Sequence, residues 1–471
     1  MLRIQICLVL LLLQFSRVAL SDDQAPVQIY ILSGQSNMVG IGQVTGQGKR
    51  WDKEFISPTL SIYPEPYDEN TDYDQAIPLQ TLELTAFGGV TPTPYPKGGS
   101  YVVRGTVQVE ESGTYEFRPG YGGSTFNTMS VNGVEVYRRN PEETAQYTPI
   151  NLQPDQRSTF KITYFNQQAD GLGWIARVDR PGTLATVVKQ HGKFPYLLDN
   201  KGNWAERNDV WYKGLVTASA NQWLSVGCGA GKNSIGPELG FGNLIGDYHD
   251  QPVLLLKSSQ GNRSLGWDFL PPGSKRFEHE GYVYAGYKES PARWKLNTAP
   301  EPIDWYAGKQ YDDCFDAVKQ TLKDFDQLFP HWKNRGFEIA GFVWWQGHKD
   351  GGEPYAGRYE QNLKTFIKTV RSEFNAKKAP FVLGTIGFEG WAMDGPHKTI
   401  AEAQLAIGSD SEKHPDFQGN VKTVETRDSW RSAEQSPRNQ GFHYNQNAET
   451  YMLVGEGLAK AMIDLKQRTS K

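Results

Sequence analysis

Cysteine is scarce in this chain. Only 3 occur in 471 residues, Cys7, Cys228 and Cys314, too few for a disulfide-dense scaffold. None lies in C-x-x-C spacing, so a structural zinc site finds no support. Charge of one sign is lacking as well. The 49 basic residues stand against 53 acidic ones, net −4, with no strong run of either. A nucleic-acid or anionic-membrane partner needs a clustered basic face, so both classes are excluded. Beyond the N-terminus no apolar run is long enough to span a bilayer, which excludes membrane insertion. Internal repeats, heptads and low-complexity tracts are absent too.

What is there begins with a leader. Arg3 precedes an unbroken apolar run over residues 6–13, and Ala19-Leu20-Ser21 offers small residues where a signal peptidase reads. The run is too short for a bilayer, so residues 1–21 read as a cleaved signal peptide and the mature protein as secreted or periplasmic. Cys7 lies inside the run, away from the small residues, which speaks against a lipoprotein site. The pairing state of Cys228 and Cys314 is left open by the sequence. Aromatics are plentiful, with 13 Trp and 23 Tyr, suited to sugar faces and to ordinary cores alike.

The rest reads as one α/β domain interrupted by a β-rich insertion. Residues 27–33 (VQIYILS), 252–259 (PVLLLKSS), 337–345 (FEIAGFVWW), 381–386 (FVLGTI) and 421–425 (VKTVE) are short apolar, β-branched runs that predict buried strands. Helical stretches separate them, at 236–246, 311–329, 355–374 and 447–466. Strands alternating with helices predict a parallel sheet covered on both faces, with its ligand site at the carboxyl ends of the strands. Between about 79 and 181 the pattern changes to alternating runs with no helix, including Asn132-Gly133 between two of them, a hairpin signal. The expected division is therefore 22–78 and 182–471 for the α/β domain, and 79–181 for an inserted β-sandwich.

Chemistry concentrates at the ends of these strands. Gly34-Gln35-Ser36-Asn37-Met38 follows the first one, and a serine there has its hydroxyl and backbone N–H exposed to the same space. Its hydroxyl needs a base within hydrogen-bond reach to become a nucleophile. The alternative is a turn that Ser36 and Asn37 merely cap. This segment resembles the first block of the sialate O-acetylesterase and acetylxylan esterase branch of the SGNH hydrolases. Trp344-Trp345-Gln346-Gly347 is similar to that branch's Trp-aromatic-Gln-Gly block. Gly441-Phe442-His443-Tyr444 stands where the branch keeps its histidine, and Gln260-Gly261-Asn262-Arg263-Ser264-Leu265 resembles the block that donates an oxyanion-hole amide. The resemblance covers about 22–74 and 183–471.

The resemblance implies a three-layer α/β/α, flavodoxin-like SGNH fold and a secreted esterase acting on O-acetylated carbohydrate without cofactor or metal. It assigns Ser36 as nucleophile, His443 as general base, and Ser36, Gly261, Asn262 and Gln346 as oxyanion-hole donors, with Gln35, Ser264 and His348 facing substrate. The chain departs from the branch in two places. Gln440 stands where an aspartate commonly precedes the histidine, and His348 where relatives often show glutamate. Either a carbonyl or amide such as Gln440 orients the imidazole, giving a dyad, or a distant acid, Asp350, Glu425 or Asp428, folds into place. His348-Lys349-Asp350 without a second cluster reads as a substrate-facing loop rather than a metal site. The stretch 113–137 resembles the protective-antigen-type β-sandwich, with Gly122-Gly123-Ser124 in place of paired calcium-binding aspartates. Two rivals stay open, a non-catalytic glycan-binding protein and an esterase for a lipid or aryl ester.

Overall fold

A computed structural model of the chain describes residues 25–46, 48–50, 53–66, 68, 70–84, 99–119, 126–140, 143–165, 173–408, 410 and 412–469. The expected leader and Gly122-Gly123-Ser124 lie outside these. Strand Val27–Gly34 is buried along its whole length, as is Val253–Ser259. Runs apolar on both faces belong in the middle of a parallel sheet, and both are found there. The sheet runs Asn221–Trp223, Val210–Val216, Val253–Ser259, Val27–Gly34, Phe337–Trp345, Phe381–Gly384, Val421–Val424. Every pairing is parallel except that of Asn221–Trp223 with Val210–Val216.

Helices Pro237–Tyr248 and Ala448–Thr469 pack on each other, and Lys309–Lys323 lies against Val210–Val216 and Val253–Ser259. Tyr355–Glu373 packs on Gly395–Ile407, which reaches the Val421–Val424 strand. Strand Val210–Val216 and helix Gly395–Ile407 have no counterpart in the sequence reading. Lys213-Gly214 interrupts the apolar run of the first, and the second opens on the helix-poor Gly395-Pro396. The single helix expected over 311–329 divides at Asp324 into Lys309–Lys323 and Phe325–Leu328.

Two further antiparallel sheets form from the middle of the chain. One runs Gln146–Tyr147, Val134–Arg139, Asn127–Val131, Ser158–Phe165, Ser100–Val107, Phe55–Tyr63, Gln80–Glu83, and the other Ile150–Leu152, Gly113–Arg118, Trp174–Arg177, Lys49–Arg50. Phe55, Val107 and Ile162 of the first join Phe117 and Ile175 of the second in one apolar cluster. Asn132 and Gly133 turn the expected hairpin with φ of +50° and +78°. The expected boundary at 78/79 is displaced. Phe55–Tyr63 pairs with Ser100–Val107, so the antiparallel region already includes residues assigned to the α/β domain. Ser57, at φ +47° before Pro58, bulges this strand out of register between Ile56 and Thr59, and the bulge hides its alternation.

Candidate active site

Register brings the site together. Gly34 stands level with Ser259 on one side and Trp345 on the other, so the three chains leave the sheet at one height. The chain visits strands on one side of Val27–Gly34 and then on the other, which makes this edge a topological switch point. Gly34 has φ +151°, and a Cβ there would lie 2.2 Å from the Trp345 carbonyl oxygen. Only glycine lets the strand end this close to its neighbour. The next residues form the short helix Ser36–Val39, wholly buried except for a 9% exposed Ser36.

A buried ion pair supports that turn. Lys257, with no exposed side-chain surface, donates to the Val39 carbonyl (2.7 Å), the Cys228 carbonyl (3.2 Å) and Glu238 Oε2 (2.8 Å). An ammonium has three N–H groups and all are used. Glu238 Oε1 accepts from the Gly236 N–H at 2.8 Å. Cys228 and Cys314 are buried and free, their thiols pushed up to about 11 mainly by burial.

The adjoining loop carries Gly261 and Asn262. A Cβ built at Gly261 would meet Ser36 Cβ at 3.7 Å, with no nearer neighbour. Asn262 is left-handed, φ +56°, a conformation asparagine tolerates. Among the described residues the Ser36, Gly261 and Asn262 N–H groups donate to no other backbone group. Ser264 instead turns inward, its N–H and hydroxyl donating to Asp268 Oδ2 at 2.8 and 3.0 Å. Asp350, wholly buried, accepts from the Leu265 N–H (2.8 Å), the Gly266 N–H (2.7 Å) and Gln346 Nε2 (2.6 Å). Burial pushes its carboxyl up to about 6 against the pull of those donors.

Gln346 uses its second amide hydrogen on the Arg263 carbonyl at 2.9 Å. Both hydrogens are thereby committed to bracing the loop, and the side chain offers no spare donor to an oxyanion. Gln35 braces the same region through its oxygen, Oε1 accepting from the Gly347 and Lys349 N–H groups at 3.1 and 3.4 Å. Gln346, Ser264 and Asp350 thus brace the loop that follows Gly261 and Asn262.

His443 stands on an unusual turn. Four consecutive residues, His443 to Gln446, have φ of +53°, +48°, +52° and +57°, and left-handed backbone costs roughly 1–2 kcal/mol per residue. Surrounding bonds hold it. Asn445 Oδ1 accepts from the Gln440 and Gly441 N–H groups at 2.9 and 3.0 Å, and its Nδ2 donates to the Arg431 carbonyl at 3.1 Å. Tyr444 is buried against Trp345 and Phe388, with ring centroids 5.2 and 5.1 Å away. The buried Tyr451 hydroxyl joins this turn to the other, 3.2 Å from Asn37 Oδ1 and 3.4 Å from the His443 carbonyl.

Burial, with a smaller contribution from the His348 charge, lowers the His443 imidazole to about 4, so it is neutral at neutral pH. His348 stacks on His397 at 5.0 Å, with Phe388 at 4.8 Å and Phe442 at 6.4 Å. Among the described residues no carboxylate is hydrogen-bonded to the His443 imidazole. Glu425 pairs with Arg427, Asp428 accepts from Trp391, and Asp350 serves the loop. The Gln440 side chain accepts from Gln446 at 3.3 Å. Among the described residues, too, no group of three or more His, Cys, Asp or Glu side chains is placed to hold a metal ion, and no helix is long and apolar enough to cross a membrane.

Sequence reasoning missed Lys257, Asn445 and Tyr451. Lys257 had a signal, a lone charge directly after four apolar residues (VLLLKSS). Asn445 and Tyr451 had none, since their partners are far away in sequence or are backbone groups.

An edge of this kind, with free amides beside a serine, is the working edge of an α/β enzyme. Residues 196–464, more than half of the chain, match the family described as carbohydrate esterase, sialic acid-specific acetylesterase. The chain belongs to that family and is an esterase. Solved structures similar to it include a protein from Arabidopsis thaliana, 15% identical, over 56% of this chain and 87% of that one with a TM-score of 0.34. A carbohydrate acetylesterase from Xanthomonas citri is 12% identical over 77% of this chain and 70% of its own, TM-score 0.35. A carbohydrate esterase family 2 enzyme with a carbohydrate-binding domain, from Corynascus thermopiles, is 12% identical over 78% and 94%, TM-score 0.27. No curated protein matches the chain.

Proposed function

We propose that the chain is an exported esterase that removes acetyl groups from carbohydrate by two-step acyl transfer, first to Ser36 and then to water, with His443 as the base. The single observation that carries this reading is the shared edge. Gly261 lies against Ser36, and one tyrosine hydroxyl bridges the Ser36 and His443 turns. Ser36 Oγ attacks the ester carbonyl and gives its proton to the imidazole. The N–H groups of Ser36 and of Gly261 or Asn262 take the oxyanion, each worth on the order of a hundred-fold in rate. The imidazole proton leaves with the sugar hydroxyl. Water then gives a proton to the imidazole and attacks the acetyl-enzyme; the bond from the acetyl carbon to Ser36 Oγ breaks, the imidazolium returns the proton to Oγ, and acetate is freed.

The family supports a carbohydrate ester as substrate. We read the two antiparallel sheets as a β-sandwich inserted into a three-layer hydrolase domain, and residues 1–21 as an export leader. Among the described residues no carboxylate is bonded to His443, and we read the working unit as a Ser36–His443 dyad whose base is carried on the strained turn. The test is acetate release from an aryl acetate and from acetylated xylan. Ser36→Ala and His443→Ala are expected to lose roughly three or more powers of ten. Activity of Ser36→Ala equal to the native chain would sink the reading and favour a glycan-binding protein.

A further inference from the structure

We infer that Trp391 is a stacking surface for a pyranose ring of the substrate, an inference that rests on the esterase reading above. Trp391 lies in the loop 385–393, which leaves the carboxyl end of strand Phe381–Gly384 on the same edge as Ser36. The start of the loop is stitched to the site. Gln404 accepts from the Ile386 N–H at 2.8 Å and donates to the Gln346 carbonyl at 2.7 Å. Midway, Phe388 packs on His348 and on Tyr444, the residue after His443. Three residues later the Trp391 ring emerges, 64% exposed.

This ring is exposed yet held. The Arg427 guanidinium covers one face, 4.1 Å from the ring centroid, a cation–π arrangement. Glu425 fixes that guanidinium through two bonds of 2.9 and 2.6 Å. The indole N–H donates to Asp428 Oδ1 at 2.7 Å. With its N–H satisfied and one face taken, the indole offers solvent a single flat, apolar, pre-ordered face. A pyranose presents a matching patch of C–H groups, while its hydroxyls stay in water around the rim. An acyl chain would want an enclosed pocket instead. Ordering the ring before binding removes the entropy that a mobile tryptophan would lose. Glu425 and Asp428, two acids that could have served His443, hold this platform.

The test is affinity electrophoresis through gels containing partially acetylated xylan, comparing the native chain with Trp391→Ala and Trp391→Tyr, and aryl acetate hydrolysis alongside. Loss of one stacked ring should raise the apparent Kd of Trp391→Ala roughly three- to ten-fold, while Trp391→Tyr stays within about two-fold of native because a flat face remains. Equal retardation of native and Trp391→Ala proteins, or no retardation of the native chain, overturns the inference. Aryl acetate hydrolysis reads the serine chemistry separately. Its absence in a native chain that the xylan still retards in a Trp391-dependent way would sink the esterase reading and leave the platform standing.

Discussion

The turn at Ser36 continues a strand buried from end to end, whereas the turn at His443 follows an irregular stretch and runs left-handed for four residues. The first is placed by repeating sheet hydrogen bonds, a glycine against the neighbouring strand and an ion pair below. The second is placed by individual side chains, chiefly Asn445, Tyr444 and Tyr451. A nucleophile that continues a central strand is placed by the sheet itself, with one ion pair beneath it. A base on a strained turn needs a surrounding shell, since backbone strain persists only where neighbours over-determine it. The two turns should therefore fail differently.

Breaking the support under Ser36 has the largest expected effect. Lys257→Met leaves the Glu238 carboxylate buried without its partner, which costs about 3–5 kcal/mol. Urea unfolding should show this loss, and adding Glu238→Leu should restore much of it. A Lys257→Met protein as stable as native would mean that the ion pair does not hold the turn.

Loosening the His443 turn should cost less stability and show in catalysis. Asn445→Ala removes three hydrogen bonds and puts alanine in left-handed backbone, for roughly 2–3 kcal/mol in total. The expected result is a fall in kcat for aryl acetate larger than any change in KM. Asn445→Gly, which accepts the backbone but not the bonds, should fall between. Identical kcat in all three proteins would show that the turn is held by something else.

Much of this contrast was visible in the sequence, on one side only. The strands 27–33, 252–259 and 337–345 were legible because buried parallel strands are apolar on both faces, and they agree with Val27–Gly34, Val253–Ser259 and Phe337–Trp345 to within a residue. Ser36 was legible with them, since it directly follows the first. His443 was legible only through resemblance. Nothing in Phe442-His443-Tyr444-Asn445 announces a left-handed turn, because its bonds to Arg431, Gln440 and the Tyr451 hydroxyl form only on folding. Gln346 was read as a donor to substrate, yet its partners Asp350 and the Arg263 carbonyl claim both hydrogens. Spacing shows which groups stand near one another but not which lone pairs are already taken.

The smallest effect sharpens the electrostatic side. The imidazole must be neutral to accept the Ser36 proton, and burial lowers it to about 4. Aryl acetate kcat/KM should therefore rise with pH along a limb centred near 4 and be flat from about pH 6. Stability should move in the same direction. The unfolded chain binds that proton more readily, so this group's contribution is lost as pH falls from about 6.5 toward 4. His348→Gln removes a nearby positive charge and should move the limb upward by a few tenths of a unit, less than the burial effect. A limb at 6.5 in the native chain would place His443 in water.

The central claim, that Ser36 is the nucleophile and His443 its base, is tested most directly by an aryl phosphonate that bonds covalently to an activated serine. Peptide mass analysis should find a single adduct, on the peptide holding Ser36, formed at least about a hundred-fold more slowly in His443→Ala. An adduct on another residue, or an unchanged rate without the imidazole, would contradict it.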